Sequence, residues 1–143
     1  FDLGYRPAAG IDRMRVGTPP VIQLAALEAA MEIWEAVDMS DLRSESIALQ
    51  EVFIRHIETR VPQLTLVSPR DSGQRGSQVS FAFDQGYAAM QALIARGVIG
   101  DFRAPNIMRF GFTPLYIDEA DVIAAVDHIE VVMGDQLWDN PPT

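Results

Sequence analysis

Between Ile107 and Phe112 the chain reads as a short apolar strand with one arginine, Arg109, in its middle. Taking a guanidinium out of water is costly unless a fixed anion meets it, so whatever folds around this stretch must supply one. Thr113-Pro114 ends the strand, because proline brings no N–H to a ladder and restricts the residue before it. An arginine held at a strand end beside a turn presents a planar fork of donors suited to a carboxylate or phosphate. The anion can be internal, with Asp101, Asp118 and Glu119 as candidates, or it can belong to a ligand.

The segments leading to this strand alternate between helical and strand periods. Residues 1–20 hold Gly4, Pro7, Gly10, Gly17, Pro19 and Pro20 and read as an extended loop. From Val21 to Val37 the apolar side chains of Leu24, Leu27, Met31 and Trp34 recur at helical spacing, which predicts a core-facing stripe. Asp38 reads as the N-cap of a second helix over about 40–60, with Leu42, Leu49, Phe53 and Ile57 inward. Glu51, Arg55 and Glu58 read as solvated helix charges, and His56 as a packed or surface histidine.

Pro62 breaks that helix. Leu64–Val67 and Gln78–Phe83 follow as strands, joined by a polar turn in which Arg70 and Arg75 are expected to be solvated or to serve an interface. Gln85–Arg96 reads as a third helix with Tyr87, Met90, Leu93 and Ile94 inward, stopped by Gly97. Val98–Arg103 is extended, Ala104-Pro105-Asn106 turns, and the arginine strand comes next. Asp118 caps a last helix to about Met133, with Val122, Val126, Ile129 and Met133 buried and Gly134 as its stop, and the tail beyond it, ending Asn140-Pro141-Pro142-Thr143, is expected to be loose. This order predicts an α+β fold, a small antiparallel sheet covered on one face by helices.

Composition excludes several roles. A net charge of −9 makes nucleic acid and anionic membranes poor partners. No apolar run approaches the ~20 residues of a membrane helix, and a cytoplasmic location is expected. With no cysteine there is neither a disulfide framework nor a thiolate metal site. His56 and His128 fall in separate helices without metal-ligand spacing, so no metal is expected. Phe1 opens the chain with no helix-start or strand logic behind it, which suggests a piece of a longer polypeptide.

Four motifs occur in a telling order: Gly17-Thr18-Pro19-Pro20, Arg75-Gly76-Ser77-Gln78-Val79-Ser80-Phe81, Gly97 through Arg103, and Arg109 through Tyr116. Together they resemble the C-terminal part of the kynureninase family over most of residues 1–134. The likeness departs at Gln78, where histidine is expected, so Gln78 is given no role. The resemblance implies a pyridoxal-phosphate-dependent hydrolase of the aspartate-aminotransferase fold (type I), acting in tryptophan catabolism. Such enzymes cleave L-kynurenine or 3-hydroxykynurenine to anthranilate or 3-hydroxyanthranilate and L-alanine.

The same resemblance implies that residues 1–20 are an extended segment from the end of a large domain and residues 21–143 a C-terminal small domain. By it, Arg109 grips the substrate α-carboxylate. Thr18 contacts the cofactor phosphate of the neighbouring subunit in a homodimer, although the residue could instead simply cap the helix after it. Every basic residue here is arginine, so the lysine amine that would hold the cofactor covalently is expected upstream, and this chain alone is expected to be inactive. The lack of cysteine argues against cysteine desulfurases, which share the architecture. Another type I aminotransferase or lyase, or a non-catalytic α+β amino-acid-binding regulatory domain, would also suit Arg109.

Overall fold

The computed structural model describes residues 3–4 and 6–139. The readings made for Phe1, Asp2, Tyr5 and the end of the tail from Asn140 lie outside the described residues. Residues 135–139 are not loose as expected: Leu137 and Trp138 pack against the core, and the Trp138 ring lies 5.1 Å from that of Phe83. The chain divides into two compact units, Phe1–Val37 and Asp38–Thr143.

The first unit is loop with one 3-10 turn at Gly10–Met14, then helix α1 over Val21–Met31. The expected helix is shorter as an α-helix, because it tightens to 3-10 form over Glu32–Ala36. Its stripe is present but not buried, with Leu24 49%, Leu27 56% and Met31 52% exposed. A helical period selects which side wants cover; burial depends on a surface to pack against.

The second unit begins at Asp38, whose Oδ1 accepts from the N–H groups of Ser40 (2.7 Å) and Asp41 (3.2 Å) and so caps helix α2, Met39–Arg60. Strands β1 (Thr65–Leu66) and β2 (Gln78–Ala82), helix α3 (Gly86–Ile94), strands β3 (Asp101–Arg103) and β4 (Ile107–Gly111) and helix α4 (Glu119–Gly134) complete it. The four strands form one antiparallel sheet in the order β1-β2-β4-β3. This is the α+β arrangement expected.

The core fills the space between one sheet face and the helices. Leu49, Phe53, Ile54 and Ile57 of α2 meet Val79 and Phe81 of β2 and Met108 and Phe110 of β4. The Phe53 ring lies 5.1 Å from that of Phe110, 5.2 Å from that of Phe112 and 6.0 Å from that of Phe81, all tilted or edge-on as aromatic quadrupoles prefer. Val122, Val126, Ile129 and Met133 bring α4 into the same cluster. Asp118 and Asp121 start that helix with a reciprocal capping box. Arg60 ties the end of α2 to α4 through Asp127 (2.6 Å) and Glu130, and these bonds raise its pKa further.

The inward face of α3 differs from expectation. Met90 and Leu93 are buried, but Tyr87 is 61% and Ile94 40% exposed, and the buried places go to Ala89 and Ala92. Alanines let the helix lie close to β3 and β4, and Tyr87 uses its ring edge-on against Phe102, 5.6 Å away. Gly97 ends the helix with φ +86, where its N–H reaches the Ile94 carbonyl (3.0 Å) and that of Val98 the Leu93 carbonyl (3.1 Å).

The long β1–β2 connection is not the solvated turn predicted. Arg75 is 8% exposed: its Nε donates to Gln50 Oε1 (2.7 Å), its Nη1 to the Pro69 (2.8 Å) and Arg70 (2.9 Å) carbonyls, and its Nη2 to Glu51. Arg43 donates to the Ser72, Arg75 and Gly76 carbonyls, and Arg70 pairs with Glu58. Glu51 and Glu58 are therefore partners of this loop rather than merely solvated charges. A loop folded back on a helix has carbonyls without ladder partners, and arginine's five donors satisfy several at once.

Candidate functional site

Alternation along β4 decides where Arg109 points. Met108 (0% exposed) and Phe110 (6%) face the core, so Arg109 projects from the opposite face. Its side chain is 28% exposed. The expectation of a fully desolvated guanidinium therefore needs correcting: the side chain is half-buried, and its anion comes from the chain itself.

That anion is Asp101, the first of the internal candidates. β3 and β4 pair antiparallel with Asp101 opposite Arg109, so both side chains leave the sheet on the same face. Arg109 Nε donates to Asp101 Oδ1 at 2.5 Å and Nη2 donates to Oδ2, a side-on fork. Arg103 Nη2 approaches the same Oδ2 at 3.3 Å. The Arg109 hydrogen bond, helped by the charges of Arg103 and Arg109, holds the Asp101 carboxyl below the usual aspartate range despite some desolvation. The same bond raises Arg109. Two cations and one anion leave this edge of the sheet with one net positive charge.

The side-on fork occupies two of the five guanidinium N–H groups. One hydrogen of Nη1 and the second of Nη2 form the end-on edge, and Nη1 has no hydrogen-bond partner among the described residues. Such an edge can accept a second carboxylate. Ser80 lies across from Arg109 on β2, and Gln78 donates from Nε2 to Ser80 Oγ at 3.0 Å on that face. A cavity of about 320 Å³ opens elsewhere, among Phe53, Phe110, Ile117, Val122 and His128, and Arg109 does not line it.

The pairing of Asp101 with Arg109 was more legible than its place among three candidates suggests. Each stands four residues from Pro105. Once 104–106 is a turn between antiparallel strands, residues equidistant from its centre become cross-strand neighbours.

Thr18 belongs to the first unit, where it is exposed in a bend ahead of α1. Pro20 holds the N-cap position and no side chain caps the helix, so the plain capping role considered for Thr18 is not the one it plays. Its hydroxyl has no hydrogen-bond partner among the described residues. A free hydroxyl beside an uncapped helix start fits the donor set a phosphate group needs. Among the described residues no three His, Asp or Glu side chains converge as metal ligands, and no helix is long and apolar enough to cross a membrane.

Fold and site together define a small α+β domain that carries an arginine–aspartate pair on the sheet face opposite its core. The family model for the kynureninase C-terminal domain matches residues 42–129. Kynureninase of Pseudomonas fluorescens is 46% identical over 136 residues, covering 94% of this chain and 33% of that protein. Kynureninases of Burkholderia mallei (strain SAVP1) and Burkholderia pseudomallei (strain K96243) are each 43% identical over 139 residues, 96% of this chain and 33% of theirs. The chain belongs to the kynureninase family, as its C-terminal domain. It spans about a third of the length of these curated relatives.

Proposed function

We propose that the protein containing this chain is a cytoplasmic, homodimeric kynureninase that hydrolyses L-kynurenine or 3-hydroxykynurenine to the corresponding anthranilate and L-alanine. Likeness to kynureninases across 94% of the chain is the observation that carries this reading. Pyridoxal phosphate, when bound, supplies the electron sink for cleavage beside the substrate Cα. The chain's own residues bind and orient. Arg109, oriented by Asp101, offers its end-on edge to the substrate α-carboxylate and thereby sets the direction of the bond to be broken. Thr18, exposed ahead of α1, donates to the cofactor phosphate of the neighbouring subunit. The lysine-free chain by itself turns over no kynurenine and forms no stable covalent adduct with added cofactor.

The test is Arg109→Ala in the full-length protein. Cofactor absorbance should persist, and kcat/KM for kynurenine should fall about 10- to 100-fold, mainly through KM, as expected for one charge-assisted fork. Unchanged kinetics would refute the assignment of Arg109.

A further inference from the structure

We infer that Asp101 is a positioning residue for substrate: it holds Arg109 side-on so that the guanidinium's end-on edge is aimed at an incoming α-carboxylate. The inference rests on the reading of Arg109 as the carboxylate-binding group and goes beyond it by assigning the residue that orients it.

Three observations converge. The contact is bidentate, Nε to Oδ1 at 2.5 Å and Nη2 to Oδ2, so it fixes the plane of the guanidinium as well as its position. Asp101 and Arg109 are register partners of an antiparallel ladder, so the backbone sets their separation rather than chance meeting of two long side chains. Arg103, two residues along β3 and therefore on the same face, approaches the same Oδ2 of that carboxylate at 3.3 Å. One aspartate thus gathers two cations that would otherwise repel, and the cluster keeps the positive charge an anionic substrate requires. A free arginine side chain would surrender much of its rotamer entropy at the moment of binding; Asp101 moves that cost into folding.

A purely structural ion pair would support both strands and treat all substrates alike. A positioning pair discriminates by the charge of the substrate's α-substituent. In full-length protein, Asp101→Ala should raise the KM for L-kynurenine about tenfold, with kcat within about threefold, the size of coupling expected for adjoining charged groups. Preference for L-kynurenine over its α-carboxamide should fall by the same factor. Asp101→Glu should restore part of both, and in an Arg109→Ala background Asp101→Ala should change KM less than about twofold.

Far-UV circular dichroism and cofactor absorbance establish that each variant is folded and loaded. If Asp101→Ala does not fold, Asp101→Asn, which keeps shape and one acceptor but removes the charge, should still raise KM and lower the carboxylate preference. An unchanged KM in the folded variants, or equal losses on carboxylate and carboxamide, overturns the inference. Should Arg109→Ala raise KM while Asp101→Ala does not, only the role of Asp101 falls. Should neither matter, the carboxylate site itself falls.

Discussion

Gly100 stands immediately before β3, between the Met90 side chain and the backbone of the Arg109 strand. A Cβ built there would lie 2.8 Å from the Arg109 carbonyl oxygen, 2.8 Å from Met90 Cε and 3.0 Å from Met90 Sδ. Ordinary carbon–oxygen and carbon–carbon contacts need more than half an ångström beyond this, so Gly100→Ala requires something to move. Methionine is the most compliant side chain in a core, but Met90 is 1% exposed and packed within the core cluster. The carbonyl is less compliant still, because β4 is an interior strand paired on both sides.

Overpacking of this kind costs about 1–3 kcal/mol, against which alanine gains about 0.4–1 kcal/mol by restricting the unfolded chain. The expected net loss is about 1–2 kcal/mol, or a fall in Tm of roughly 4–16 °C for a unit of this size. Gly111→Ala is the matched control: it lies on β4 itself, its added Cβ would meet nothing within 4 Å, and the change should stabilise by about 0.4–1 kcal/mol. Urea denaturation of the chain followed by far-UV circular dichroism measures both. Equal effects of the two substitutions, or a stabilising Gly100→Ala, would refute the claim that close backbone approach rather than glycine entropy governs this site.

Phe53→Ala should destabilise the same unit by about 3–5 kcal/mol in urea titrations, since it deletes a 1% exposed ring touching three other phenylalanines; a loss under about 1 kcal/mol would mean that the ring is not central to the packing. The acid side of the stability profile should carry the signature of the Asp101 pair. Because the Arg109 bond lowers the Asp101 pKa in the folded state, its contribution is complete above the ordinary aspartate value of 3.8 and is lost as pH falls through the lower folded-state value. Asp101→Asn should therefore show a shallower decline than wild type below 3.8. A residual slope is expected from Asp38, whose carboxyl is also held low, chiefly by the Ser40 hydroxyl. Identical acid slopes in wild type and variant would contradict the pairing.

Local signals were strong enough to place the elements. Asp38 and Asp118 mark helix starts because a short carboxylate can satisfy backbone N–H groups that no other residue reaches. Gly97 marks a helix end because its φ of +86 is accessible without a Cβ. The alternation around Arg109 and the turn at 104–106 likewise contained the strand pairing that brings Asp101 to it. These are matters of a few consecutive residues, and so are readable from their order alone.

What the sequence could not decide was partnership between residues far apart in the chain. Arg75 reads as one more loop charge until α2 places Gln50 and Glu51 beside it. The apolar stripe of α1 is plain in sequence yet has no buried residue, and α3 buries alanines where Tyr87 and Ile94 seemed better suited. Hydrophobic period and side-chain type state what a residue can satisfy. Whether a guanidinium meets carbonyls, a carboxylate or water depends on which surfaces the fold brings within about 3 Å, the range over which a hydrogen bond acts.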